Sequence, residues 1–194
     1  MSSPVLYPEA YTAIAELALQ EDLGPERVDL TAAWVVPDQA QASATLIALR
    51  AGVLAGLQVA QAVFHHLSPQ ITFTPRAEDG ATLYPDQALL ELAGQARALL
   101  AGERTALNFL QRLSGVATLT RAFVGAVAGT SARITDTRKT SPGLRALEKH
   151  AVCLGGGVNH RFGLYDAVLV KENHAACAGG VAQALRLARQ GARE

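Results

Sequence analysis

Lysine is scarce in this chain. Only three occur in 194 residues, at positions 139, 149 and 171. Cysteine is scarcer, with two, and Cys153 and Cys177 match no CxxC or Cys/His spacing. That excludes a disulfide framework or a finger-type metal site and suits two reduced thiols in a cytoplasmic protein. Long apolar runs are missing: each is interrupted by Arg, Gln or Gly, so no transmembrane helix is expected. The start, MSSPVLYPEA, lacks the basic-then-apolar order of a signal peptide. No excess of either charge exists, with 17 Lys+Arg against 17 Asp+Glu. With no basic run either, nucleic acid is excluded as a partner. What is present is an apolar fraction of 49% with 18% charged residues, which supports a packed core and argues against disorder.

The pattern along the chain is mixed α/β. Residues 8 to 22 read as a helix ending near Leu23-Gly24-Pro25. Residues 41 to 50 read as a strand, Gly52 and Gly56 mark turns beside a short apolar piece, and Leu57 to Leu67 reads as a helix stopped by Ser68-Pro69. Ile71 to Thr74 alternates as a strand, and Asp79-Gly80 forms a turn. Leu89 to Leu100 includes a further strand, followed by a break at Gly102. From Glu103 to about Val127, Leu107, Leu110, Leu113, Val116 and Leu119 recur at helical spacing, with a soft interruption at Ser114-Gly115. The rhythm then changes. Arg133 to Thr137 reads as a strand, Gly143 to Val152 as a helix, Ala167 to Val170 as an apolar strand and Val181 to Arg189 as a helix. Such alternation predicts βαβ units and a parallel sheet.

Residues 136 to 174 concentrate the chemistry. Thr137-Arg138-Lys139-Thr140 follows a strand, where parallel α/β folds bind ligands. Arg138 offers a planar fork to a carboxylate and Lys139 a point charge to a phosphate; the bland alternative is a solvated basic turn. His160 and Arg161 follow Gly155-Gly156-Gly157, where the backbone can approach a ligand or take positive φ, or simply form a surface loop. Lys171 closes the apolar segment 167–170. Basic residues at both strand ends form a local cationic pocket on a neutral body, suited to a small, highly anionic substrate. Arg104 reads as a solvated helix start. His65, His66 and Trp34 read as packing or surface residues.

These segments, in this order, resemble the quinolinate phosphoribosyltransferase family (carboxylating nicotinate-nucleotide pyrophosphorylases). The resemblance spans Glu21-Asp22-Leu23-Gly24 with Asp29-Leu30-Thr31, residues 52–57, residues 103–110, residues 114–118, Thr137 to Arg145, Gly155 to Arg161 and Lys171 to His174. It implies an N-terminal α/β sandwich over residues 1–107, then the first part of an incomplete α/β barrel over 108–194. It implies transfer of phosphoribosyl from phosphoribosyl pyrophosphate to quinolinate with Mg²⁺, giving nicotinate mononucleotide, pyrophosphate and CO₂. Arg104, Thr137, Arg138, Lys139, His160, Arg161 and Lys171 become the substrate-binding set, with Lys139 and Lys171 carried over as catalytic. The family forms homodimers or higher homo-oligomers with the active site at the interface, where Arg104 would act across subunits. The family's further barrel strands, with acidic residues for ribose and metal, are expected beyond Glu194. Two other readings compete: a paralogue of the same fold associated with molybdate uptake, and a shortened, non-catalytic binding or dimerisation module.

Overall fold

A helix comes first. In the computed structural model, which describes residues 6–192, α1 (Glu9–Leu23) buries Ala15, Leu19 and Leu23, the four-residue stripe of an amphipathic helix. It stops at Gly24, whose φ of 66° is open to glycine without strain. The first five residues of the MSSPVLYPEA start lie outside the described residues. Next comes a short helix, α2 (Leu30–Val35), in a stretch to which the sequence reading assigns no element. Local chemistry explains it: the Asp29 carboxylate accepts from the Ala32 N–H at 3.1 Å, satisfying one of the orphan donors at a helix start. Trp34, on this helix, is 79% exposed.

Seven elements build the sandwich: α1, then β1 (Gln41–Ile47), β2 (Gly52–Val53), α3 (Leu57–Leu67), β3 (Thr72–Pro75), β4 (Thr82–Leu83) and β5 (Ala88–Gln95). β5 is the central strand of one sheet, antiparallel to β1 on one side and β3 on the other. β2 and β4 form a small antiparallel second sheet. Leu89, Leu90 and Leu92 of β5 are buried, as are Val59, Ala60, Val63 and Phe64 of α3, so sheet and helix share one core.

α4 (Ala96–Ala126) starts directly after β5 and runs 31 residues without a break, about 46 Å at 1.5 Å per residue. The sequence reading places a break at Gly102 and a soft interruption at Ser114-Gly115; neither occurs. Gly102 is a packing residue, since a Cβ there would lie 2.9 Å from the Phe64 and Leu67 side chains of α3. Ser114 and Thr118, one turn apart, take up backbone donors of the 52–57 segment. Ser114 Oγ accepts from Ala55 N at 3.0 Å and Thr118 Oγ1 from Val53 N at 2.8 Å. The glycine-rich turn of the sequence is thus held by hydroxyls of the long helix.

Beyond α4 the expected strand 133–137 is reduced to one parallel bridge, Thr135 with Val158. Val158 N–H donates to Ile134 O at 2.9 Å, and Asp136 N–H to Val158 O at 3.2 Å. α5 (Arg145–Leu154) packs on α4 and ends at the three glycines. The described residues form two compact units, 6–159 and 160–192. In the second, the segment Ala167–Val170 pairs with no strand among the described residues, and Val168 is 73% exposed. Apolar sequence marks a strand candidate, but a strand exists only through hydrogen bonds to a neighbour. Helices supply their own, so α6 (Glu172–Ala178), absent from the sequence reading, and α7 (Val181–Gly191) both form. The architecture is α/β: a sandwich followed by the opening elements of an incomplete barrel, with no closed barrel among the described residues. Among these residues no helix is long and apolar enough to cross a membrane.

Candidate active site

The loop after the 134–136 rung carries the first basic group. Thr137 Oγ1 accepts from Lys139 N at 2.9 Å, a hydroxyl turn that folds the backbone back on itself. Lys139 is exposed and Arg138 half-buried. Arg138 Nε is buried and meets no hydrogen-bond partner, the one such side-chain atom among the described residues. A buried, charged donor without an acceptor costs about 1–3 kcal/mol or more, so this position is chemically suited to an anion. Thr140 Oγ1 accepts from Arg145 Nε at 3.2 Å.

Both ends of this loop are held from α5. Lys149, 2% exposed, sets its Nζ 2.5 Å from Asp136 Oδ1. The Asn159 amide, oriented to satisfy both its atoms, donates to Asp136 Oδ2 at 2.6 Å and to Lys149 O at 3.0 Å. Glu148 accepts from Arg112 Nε at 3.0 Å and Nη2 at 2.7 Å, and from Ser141 N at 3.2 Å. Arg112 Nη2 also donates to Ser141 Oγ at 2.5 Å. The sequence reading assigns none of Arg112, Asp136, Glu148, Lys149 and Asn159 a role. The scarcity of lysine was the available signal, since the third lysine stands beside a glutamate in a helix otherwise patterned for burial.

Gly155 and Gly157 are packing residues, and Gly156 takes a positive φ of 93°. A Cβ on Gly155 would lie 2.5 Å from Ala117 O and 2.6 Å from Thr120 Cβ, and one on Gly157 2.7 Å from Val152 Cγ1. Arg121 covers the end of α5, donating to Gly155 O at 3.0 Å and Leu154 O at 2.9 Å. Gly155 has no room for a side chain because it lies against α4.

Arg104 is exposed on α4. Its neighbour Thr105 donates its hydroxyl to Asp22 Oδ2 at 2.5 Å, beside a cavity of about 170 Å³ where Glu21, Asp22, Asn108 and Arg112 meet the apolar Ala18, Phe109 and Leu144. This joins two of the segments that carry the family resemblance.

The second unit holds His160, Arg161 and Lys171. Arg161 Nη1 donates to Ala167 O at 2.9 Å, and Arg161 N to His160 Nδ1 at 2.7 Å. Asp166 accepts from the N–H groups of Phe162 and Gly163, the latter at 2.8 Å, and these bonds hold its carboxyl below the ordinary aspartate value. Lys171 is exposed, and its N–H donates to His174 Nδ1 at 3.0 Å, fixing the start of α6. Arg104, Thr137, Arg138 and Lys139 therefore belong to one unit, and His160, Arg161 and Lys171 to the other.

The α/β scaffold thus presents an exposed Lys139 and a half-buried Arg138 on a loop pinned at both ends. The chain belongs to the quinolinate phosphoribosyl transferase family: the N-terminal domain matches residues 29–114 and the C-terminal domain residues 116–194. It is 47% identical to the nicotinate-nucleotide pyrophosphorylase [carboxylating] of Mycobacterium leprae, over 91% of this chain and 63% of that protein. It is 44% identical to a probable enzyme of the same name from Bacillus subtilis, over 89% of this chain and 58% of that protein. The structure of NadC from Streptococcus pyogenes superposes with a TM-score of 0.91 at 43% identity, covering 98% of this chain and 67% of that one. The chain thus spans about three fifths of the length of these two curated relatives.

Proposed function

We propose that this chain carries the quinolinate-binding part of a phosphoribosyltransferase that makes nicotinate mononucleotide with loss of pyrophosphate and CO₂. The buried Arg138 Nε with no acceptor is the observation that supports this most directly, because a carboxylate is the acceptor that would satisfy it. Family membership supplies the chemistry. Quinolinate brings two adjacent carboxylates, and the donor brings a phosphate and a pyrophosphate. Arg104, Arg138, His160, Arg161 and Lys171 would neutralise the pyridine dicarboxylate, Thr137 would shape the loop, and Lys139 would serve the donor.

In this mechanism the bond from ribose C1′ to pyrophosphate breaks first, its electron pair leaving with pyrophosphate. The pyridine nitrogen then donates its lone pair to C1′. The resulting pyridinium accepts the electron pair of the adjacent ring–carboxylate bond, CO₂ departs, and the ring carbon takes up a proton. The basic residues position the substrates and stabilise charge, with Lys139 and Lys171 nearest the chemistry; no covalent nucleophile is required. Mg²⁺ belongs to the proposal as a companion of the donor's pyrophosphate. Among the described residues no group of three or more His, Cys, Asp or Glu side chains could hold a metal ion, and no step runs through it here.

The proposal keeps residues 1–107 as the sandwich domain and 108–194 as the barrel-forming one, with a homodimer that brings Arg104 to the partner's site and a cytoplasmic location. Titration calorimetry with quinolinate, followed by pyrophosphate release with both substrates, tests it. Arg138→Ala and Lys171→Ala should each lower quinolinate affinity at least about tenfold, the loss of a charge-assisted contact. Unchanged affinity in both would sink the reading.

A further inference from the structure

We propose that Glu148 and Lys149 form a two-point clamp that holds the 137–140 loop open as a preformed anion site; the proposal rests on the quinolinate-binding reading of Arg138 and Lys139. The two residues are consecutive on α5, so their side chains leave the helix about 100° apart. Lys149 reaches Asp136, the residue before the loop, at 2.5 Å. Glu148 reaches the backbone N–H of Ser141, the residue after the loop, at 3.2 Å. Each anchor has a second tie: the Asn159 amide on Asp136 at 2.6 Å, and Arg112 bridging Glu148 and Ser141 Oγ. The four residues between the anchors are the ones that carry the anion-binding side chains.

Placement of the charges argues that they serve position. Lys149 is the largest fully buried side chain in the described structure, and its Asp136 partner's side chain is 5% exposed. Taking an ion pair out of water is costly, and well-packed apolar residues commonly do as well for stability. Ion pairs and charge-assisted hydrogen bonds do offer directional hold on a loop whose other ties are a hydroxyl turn and the Arg145–Thr140 contact. An anchored loop presents Arg138 and Lys139 without an ordering cost when the anion arrives, which is how preorganisation raises affinity. The opposite signs also matter. Lys149 and Asp136 are paired, as are Arg112 and Glu148, so the clamp adds no net charge and leaves the loop's own cations to face the ligand.

The test compares the unmodified full-length protein with Asp136→Asn/Lys149→Met, which removes both buried charges at similar volume. Two quantities are read: amide hydrogen exchange at residues 137–141, and quinolinate affinity. The clamp predicts at least about tenfold faster exchange in the loop, with the amides of α3 and the first half of α4 unchanged, and at least about tenfold weaker quinolinate binding, the scale of loss when a binding group is displaced. Glu148→Gln, which keeps shape and drops charge, should show the same signature at the Ser141 end and serves if the double variant does not fold. Lys149→Arg, which keeps the charge, should recover most of the affinity. Unchanged loop exchange, or weaker binding with equally faster exchange throughout the unit, would overturn the clamp. Failure of the unmodified protein to bind quinolinate would overturn the functional reading instead, and the exchange result would then decide the clamp by itself.

Discussion

Residues 6–159 and residues 160–192 obey different rules. The first region is closed on itself: three-stranded and two-stranded sheets, helices α1, α3, α4 and α5, and a core from Ala15 to Leu154. The second region buries only Gly163, Ala175 and Ala184 and is held mainly by its own backbone bonds and by the Arg161 and Asp166 contacts within the 160–167 turn. Both carry residues of the proposed site. The comparison separates structure that a segment can make by itself from structure it can make only with neighbours. Helices α6 and α7 form in the second region, while the apolar run 167–170 forms no ladder there.

The contrast is most severely tested at Lys149. Lys149→Ala leaves Asp136 charged and buried without its cation, and the expected loss is about 3–5 kcal/mol, read from urea denaturation. A loss below 1 kcal/mol would mean that water already reaches the pair. Gly155→Ala comes next. Its Cβ would meet Ala117 O at 2.5 Å, a helix carbonyl that cannot move aside, and overpacking of this kind costs about 1–3 kcal/mol. In the second region Leu187→Ala, at a position 49% exposed, should stay within about 0.5 kcal/mol. A loss equal to that of Gly155→Ala would erase the distinction between the two regions.

Acid separates them by sign. Asp166, in the second region, has a carboxyl held below the ordinary value of 3.8 by the Phe162 and Gly163 N–H groups. Its contribution is present above 3.8 and is lost as pH falls through its lower folded value. Asp79, in the first, is pushed up by burial despite accepting from Leu57 N–H at 3.1 Å. Its contribution is present below 3.8 and is lost as pH rises through its higher folded value. Amide shifts of Gly163 and Leu57, followed through an acid titration, should therefore show midpoints on opposite sides of 3.8. Coincident midpoints would count against both assignments.

Legibility in the sequence followed the same line. Helix α3 could be read at its full length, and α1, β1, β3, α5 and α7 to within a few residues, because apolar periodicity and Gly or Pro stops are local signals. α2 and α6 escaped because they are short, and α2 depends on one side-chain cap at Asp29. Gly102 misled for a physical reason: glycine weakens a helix, yet it is required where another helix crosses closely, as α3 does there; at Gly115, where a Cβ would meet nothing within 4 Å, the helix simply tolerates the glycine. The basic residues of the proposed site were readable as residue types beside turns. Their supports were not, because the pairing of Lys149 with Asp136 and of Glu148 with Arg112 is a contact between segments 13 and 36 residues apart, which no local pattern encodes.

α4 has one more consequence. The two family regions meet at residues 114–116, in the middle of this unbroken helix, where Ser114 and Thr118 are bonded to the 52–57 segment. A junction of this kind acts as a strut and cannot work as a hinge. Any displacement of the sandwich is carried along a stiff rod to Arg121 and the end of α5, so the support of the 137–140 loop and the position of Arg104 are mechanically one part.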